Sequence, residues 1–588
     1  MSADNKTAGN PRYTLWRVVV LLSIATLWGV LFKYQILQAD RYVSLAAQNR
    51  LRMVRIPPIR GRIFDANGAL IASNVQTFNL MIYPLDLEDP DIAGRIAEFF
   101  AGKGIPLTEE SIRELVKKQY SVPYRAVVLL PDITLAQMAS FTSDPAFPAQ
   151  VFPIPVSRRV YPSGPLVAHV LGYVGEVTSE ELDTDKYSDY RGGDQVGKSG
   201  VEQYYEDILQ GTPGEEAVEV DARGRRLGSI GYMRPRPGED LHLTLDLGAQ
   251  RLAAELMAGR RGAVFAMDVK NGDVKVLCSS PSFDANPLAW GVSPSEWSRL
   301  LSDPARPMMN RVISGTYPPG STFKVVPAFA ALAEGKITAR TSWNCSGALR
   351  VGNRIFRCWN RTGHGSRNVI TGLRDSCDVF FYQTGLRTGI DNLVKWGSHF
   401  GVGRATGIDL PGEVNGNIAG SEWKMLRIGE KWYPGDTANY AIGQGYLLLT
   451  PIQLAVIYAA IANGGYRVTP HLFEGAQRME NMNLPEKPLE LVRKGITEVV
   501  RSGTGRRAGL YGVTVAGKTG TAQNPHGDDH AWFVGYAPAD EPRFVAVALV
   551  EAGLHGSSTS GPIVGELLAY LCRFEARRKG GDVDEQGH

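Results

Sequence analysis

Tyr317-Pro318-Pro319-Gly320-Ser321-Thr322-Phe323-Lys324 leads into an apolar run from Val325 to Leu332. The two prolines and the glycine stop any preceding element, and a largely helix-forming segment then runs to Gly335. Pro327 inside it can kink it locally. Ser321 therefore stands at or next to a helix N-terminus, where free N–H groups and the positive dipole end favour developing negative charge. Lys324 lies one turn along, so both side chains can share a face. That suits a serine nucleophile whose proton is taken by a lysine. Alone, Ser-x-x-Lys is weak, because an N-capping serine followed by a solvated lysine spells the same pattern.

Two later stretches change the balance. Ser376-Cys377-Asp378 follows, and Lys518-Thr519-Gly520-Thr521 comes near the C-terminal end. The order Ser-x-x-Lys, Ser-x-Asn-like, Lys-Thr-Gly is that of penicillin-interacting serine enzymes. With these motifs the chain resembles a class B penicillin-binding protein, closest to the elongation-type penicillin-binding protein 2 group. The aspartate in the asparagine place sharpens that subgroup resemblance.

The 588 residues are too many for one core, so two or three domains are expected. A net charge of +3 with mixed signs gives no nucleic-acid footprint, and five cysteines give no disulfide framework. Residues 1–13 are polar and read as a cytoplasmic tail. Residues 14–37 read as a single transmembrane anchor, since roughly 20 apolar residues span a bilayer. Lys6, Arg12 and Arg17 precede its core and put the N-terminus in the cytoplasm. A cleaved signal peptide is the rival, but Leu37-Gln38-Ala39 makes a poor cleavage site.

Residues 38–240 read as a separate, extended, β-rich module. Asn67-Gly68 marks a hairpin turn, and helices are expected over residues 92–100 and 112–118, the second after Thr108 as N-cap. Gly192 to Ser199 matches the P-loop pattern, but the polar stretch before it (residues 183–191) cannot be a central strand. Nucleotide binding is therefore rejected. Residues 241–572 read as a second domain. It has a helix at 250–257, a hairpin about Asn271-Gly272, strands at 513–515, 532–536 and 544–550, and a helix opened by the Thr450-Pro451-Ile452-Gln453 capping box. An antiparallel sheet covered by helices follows, an α+β fold. The charged tail 573–588 is expected to be disordered.

The resemblance implies that residues 38–240 are a pedestal of the dimerisation type and that residues 241–572 are the transpeptidase domain. The clusters at Arg60, Arg158 and Gly200 resemble pedestal motifs, although without the resemblance they read as turn chemistry and surface charge. It also implies Ser321 as nucleophile, Lys324 as base, Ser376 as proton relay and Asp378 as a partner of Lys324. Lys518 would supply the positive charge that lowers the Lys324 pKa. Thr519, Gly520 and Thr521 would bind the stem-peptide carboxylate, with Gly520 leaving room for substrate at a strand edge. Acyl transfer of this kind requires no cofactor. The implied partners are peptidoglycan stem peptides, β-lactams, the membrane and a SEDS-type (RodA-like) glycosyltransferase of the elongation machinery, with the bulk of the chain periplasmic. A catalytically weak β-lactam sensor or scaffold, and a hydrolase directing water at the acyl-enzyme, are the competing readings.

Cys345, Cys358, His364 and Cys377 form a zinc-type ligand set, although their spacing is not that of a zinc finger. Buried free cysteines and a Cys345–Cys358 disulfide compete with that reading. His530, after Asp528 and Asp529, reads as a solvated loop residue.

Overall fold

A computed structural model of the chain describes residues 11–42, 51–119, 126–220, 226–524 and 527–584. Backbone packing divides the chain into two compact units. The first takes residues 1–59, 76–157 and 211–237, and the second takes 60–75, 158–210 and 238–588. The separate module expected at 38–240 is thus shared between them. The reason is hydrophobic: Ile63, Ile71, Tyr161, Val170, Leu171 and Val201 are buried in the same core as Phe265 and Phe323. Chain order conceals this, because the segments leave that core and return to it.

In the first unit, helix α1 (Pro11–Phe32) continues as a π-type turn, Lys33–Leu37. Within residues 12–37 an 18-residue window has a mean hydropathy of 2.0 and none of it is buried, so among the described residues one N-terminal helix is long and apolar enough to cross a membrane. The Ser23 and Thr26 hydroxyls donate back to the Val19 and Leu22 carbonyls at 2.9 and 2.8 Å, so neither is left unsatisfied on an apolar helix. Strands β1 (Leu51–Ile56), β2 (Gly214–Val220) and β3 (Arg226–Met233) pair antiparallel in the order β1–β2–β3. Both helices expected in this region form, at Pro90–Gly102 and Glu109–Gln119. They bury Ile96, Phe99, Phe100 and Ile112 in a core of their own.

The second unit is built on an antiparallel sheet. Its strands are β4 (Gly262–Asp268), β5 (Val274–Ser280), β6 (Ala516–Ala522), β7 (His530–Ala537) and β8 (Phe544–Val550), in the order β5–β4–β8–β7–β6. The strands are apolar on both faces because both faces are covered. Val264 and Ala266 pack with Val564 and Leu567 of the last helix, whereas Phe265 and Met267 pack with Val326 and Ile457 on the opposite side. Helix α2 (Val325–Ala333) and helix α3 (Asp378–Thr388) lie in that second layer, with helix α4 (Pro451–Ala462), every residue of which is buried. Thr450 caps α4 by accepting from Gln453 N, with Pro451 at the first position, as expected.

Three expectations shift. The strand expected at 513–515 lies at 516–522, where Gly517 and Gly520 mask the β pattern and the Lys-Thr-Gly motif itself is the strand. The boundary at 572 falls inside helix α5, which runs Ser560–Asp584, so residues 573–584 are helical rather than disordered. Their charge comes largely from Arg, Lys and Glu, which are good helix formers. The helix expected from Ser321 begins as a 3-10 turn, Gly320–Lys324, before α2. Pro327 has no N–H to give the Phe323 carbonyl, so the α-type ladder cannot extend back through that turn.

Candidate active site

The serine turn is held from several sides. Trp532 Nε1 donates to the Pro318 carbonyl at 3.1 Å, Gly320 N donates to the Gly443 carbonyl at 2.9 Å, and the Tyr458 hydroxyl donates to the Thr322 carbonyl at 2.7 Å. Gly320 has φ +55, and a Cβ there would lie 2.7 Å from the Thr521 carbonyl oxygen. The turn is thus laid directly against the end of β6. Gly443 has φ +74, and a Cβ there would stand 2.1 Å from the Gly320 oxygen, so only glycine closes that side.

Lys324 is fully buried. Its Nζ donates to Asp378 Oδ1 at 2.7 Å, to the Ser376 carbonyl at 2.9 Å and to Ser376 Oγ at 3.3 Å. The other oxygen of Asp378 accepts from Trp359 N at 2.9 Å. Asp378 therefore has a definite task in the asparagine place: one oxygen neutralises Lys324 and the other ties down the segment after Cys358. Ser376 itself has φ +53, a strained conformation for a non-glycine residue.

Lys518, on β6, is also fully buried and donates to Ser376 Oγ at 2.9 Å and to the Thr519 carbonyl at 3.1 Å. No carboxylate is among those contacts. Burial first, and then the charge of Lys324, hold its pKa well below the usual lysine range, with Asp378 offsetting only part of this. Lys518 was expected to lower the Lys324 pKa by its charge; the downward shift lies on Lys518 itself.

Thr519 Oγ1 shares a 2.8 Å hydrogen bond with Thr504 Oγ1, and sequence reading had overlooked Thr504 because nothing local marks it. Gly520 is glycine for a reason other than substrate clearance. A Cβ there would meet Thr322 Cγ2 at 2.9 Å, Trp532 Cβ at 3.0 Å and the Pro319 oxygen at 3.1 Å, so it makes room for the serine turn. Among the described residues, strand β6 is paired on one side only, with β7. Its other edge presents backbone donors and acceptors beside Ser321, the geometry for adding an extended peptide as a further strand. His530 opens β7 opposite Ala522 and accepts from Ala552 N at 3.3 Å, so it is a half-buried strand residue rather than a solvated loop residue.

Two family models match the chain: a penicillin binding protein transpeptidase domain over residues 262–569 and a penicillin-binding protein dimerisation domain over residues 55–243. The chain belongs to the class B penicillin-binding proteins. It is 36% identical to the peptidoglycan D,D-transpeptidase MrdA of Haemophilus influenzae, over 94% of this chain and 91% of that protein. It is 33% identical to the Escherichia coli K12 protein of the same name, over 96% of this chain and 94% of that one. A solved complex between the penicillin-binding protein PBP2 and MreC from Helicobacter pylori superposes with a TM-score of 0.81 at 31% identity, covering 89% of this chain and 99% of that one. A structure described as a peptidoglycan synthase complex coordinating polymerization and crosslinking matches at a TM-score of 0.71 and 30% identity, over 95% and 98% of the two chains.

Beside the middle motif of this penicillin-binding protein, Cys345, Cys358, His364 and Cys377 bring their ligand atoms within 4.8 Å of one another. His364 Nδ1 lies 3.7 Å from Cys345 Sγ and 3.5 Å from Cys358 Sγ. A tetrahedral ion with ordinary zinc–ligand bonds needs edges of about 3.5–3.8 Å, so the donor set fits. Cys345 ends a short strand, Cys358 and His364 lie in the loops that follow, and Cys377 caps α3; Gly363, with φ +87, would put a Cβ 2.3 Å from the Cys345 oxygen. The cysteines are free thiols, which removes the Cys345–Cys358 disulfide reading. A hydrogen bond from Cys377 holds the Cys358 thiol down at about 5 against the opposing effect of burial, a thiolate suited to binding a metal.

Proposed function

We propose that the chain is a membrane-anchored peptidoglycan D,D-transpeptidase of the elongation type, acting through a Ser321 acyl-enzyme. The observation that carries the reading is the meeting of all three motifs at the free edge of β6: Ser376 Oγ accepts from both Lys518 and Lys324, and the serine turn abuts Thr521. A stem peptide adds along that edge. Ser321 Oγ attacks the penultimate D-Ala carbonyl carbon, and its proton passes by way of Ser376 to Lys518, the amine kept neutral by burial. Lys324 stays engaged with Asp378 at 2.7 Å. Backbone N–H groups of Ser321 and Thr521 stabilise the oxyanion, each worth about 100–1000-fold in rate. The C–N bond breaks, the leaving D-Ala nitrogen takes the proton back, and the amine of a second stem peptide resolves the ester. Thr519 and Thr521 bind the terminal carboxylate. β-Lactams acylate the same serine.

The N-terminal helix anchors the protein, with its N-terminus cytoplasmic on the charge of Lys6, Arg12 and Arg17 and the remainder periplasmic. A RodA-like polymerase supplies the glycan strands, and an MreC-like protein is a further partner, as in the Helicobacter pylori complex of a PBP2 with MreC. The cysteine–histidine cluster holds a structural zinc. That ion would tie the segment carrying Trp359 N to the segment carrying Asp378, and so keep the Lys324 ion pair in register. Metal analysis should find about one zinc per chain, lost in Cys358→Ser; a metal-free wild type would remove the zinc.

The deciding experiment is labelling by a fluorescent penicillin. Wild type should be labelled covalently and Ser321→Ala should not. A folded wild type that takes no label would overturn the enzyme reading.

A further inference from the structure

A second charged cavity lies in the transpeptidase unit, lined by residues that take no part in the serine site. It is a cleft of about 200 Å³, open to solvent and lined by Phe400, Arg404, Thr406, Gln453, Arg467 and Glu480. Two arginines line one space, Arg404 exposed and Arg467 half-buried. Arg467 is paired with Glu480, whereas Arg404 forms no ion pair among the described residues; its one side-chain hydrogen bond is a long 3.5 Å contact to the Ser398 carbonyl. Burial and then the charge of Arg467 pull the Arg404 pKa below its ordinary value, with Glu480 opposing. The frame is rigid. Gln453 Nε2 donates to the carbonyls of Arg404 and Asn415 at 2.8 Å each, and Glu413 accepts from the backbone and the hydroxyl of Thr406. Two arginines and Glu480 line the space, and the Glu413 carboxylate behind Thr406 is taken up by the Thr406 and Gly407 N–H groups, so Arg404 is the group without a carboxylate partner among the described residues.

We infer that this cavity is a binding site for a carboxylate, held between the Arg404 and Arg467 guanidinium groups. Arginine forks match a planar carboxylate in two-point fashion; the Glu480 carboxylate already pairs with Arg467, and Arg404 beside it is left for another. The carboxylate can come from a peptidoglycan stem peptide, a source that rests on the function proposed above, or from a free small acid. In the first case the protein holds peptidoglycan at a position other than its serine site.

The test uses full-length protein in detergent with the serine site blocked by penicillin. Calorimetric titrations compare a free stem tetrapeptide, acetate, glutarate and inorganic phosphate. Saturable binding of a carboxylate is expected, weakened about tenfold in Arg404→Ala and in Arg467→Ala and strengthened in Glu480→Gln, which removes the competing acid. Each variant should take fluorescent penicillin as wild type does, showing that it is folded. Tetrapeptide binding well above that of acetate identifies the stem peptide as the source, and equal binding identifies a free acid. Binding of none of the carboxylates, binding of phosphate alone, or binding unchanged in both arginine variants overturns the site. Failure of penicillin labelling would instead strike the proposed activity; the titrations, run on unblocked Ser321→Ala, would still decide the cavity.

Discussion

Lys324 and Lys518 are fully buried amines that both reach Ser376 Oγ, and their surroundings separate them. Lys324 has the Asp378 carboxylate at 2.7 Å, while Lys518 has only hydroxyl and carbonyl oxygens. Burial then drives Lys518 toward its neutral form. The unfolded chain holds a proton on this lysine up to about pH 10.4, so between the depressed folded value and that limit it binds more protons than the native state. This group's contribution to stability therefore rises with pH across that window and falls as pH drops through it. Penicillin acylation should rise with pH through the same depressed value. In Lys518→Arg, whose guanidinium stays charged, that limb should flatten and the rate should fall by at least about 100-fold. A wild-type pH profile with no such limb would remove Lys518 from the proton path. Each motif could be read in sequence, because its residues are near neighbours in the chain. The order of the two amines could not, because it depends on which one the carboxylate of α3 reaches.

Elements of the second unit are joined by contacts between distant parts of the chain. Arg60 Nε meets Glu202 Oε2 at 2.5 Å, Arg60 Nη2 meets Glu206 Oε2 at 2.7 Å and Arg159 Nε meets Glu202 Oε1 at 2.6 Å. Glu202 is completely buried. Burial raises its pKa, but the charges of Arg159 and Arg60 outweigh this and hold it below the ordinary carboxylate value. Glu202→Gln leaves buried guanidinium charge short of a partner and should cost about 3–5 kcal/mol by denaturant unfolding. A loss under about 1 kcal/mol would show that the cluster is solvated in solution. In sequence, Arg60 and Gly200 read as turn chemistry unless a resemblance is invoked. Arg60 and Glu202 are 142 residues apart, so no local pattern joins them. Gly520 shows the same limit. Its identity was legible, but its cause, the packing of Thr322, Trp532 and Pro319 against β6, required the fold.

For the whole molecule, the N-terminal helix sets where the chemistry takes place. Its 26 residues, 12–37, are long enough to cross a bilayer, and none of the apolar window within them is buried. Removing residues 1–42 should release the protein from sedimenting membranes into the soluble fraction while penicillin acylation stays within about twofold, because the serine site draws on none of them. Continued sedimentation would place a second membrane attachment in the remaining chain. The division into two units was only half legible. A change in character near residue 240 could be read along the chain, but the return of residues 60–75 and 158–210 to the second core could not.

The sequence by itself determined the three motifs, the membrane-length helix, the Thr450 cap, the Asn271-Gly272 hairpin and the zinc-type ligand set. Each is written in adjacent or regularly spaced residues, whose propensities and side-chain chemistry act over a turn or two. Only the tertiary structure decided that burial lowers the Lys518 pKa, why Gly520 must be glycine, that four ligand atoms spread over positions 345–377 converge within 4.8 Å, and that two arginines line one cavity. Charge, burial and close packing act through space, and the neighbours that set them come from parts of the chain that only folding brings together.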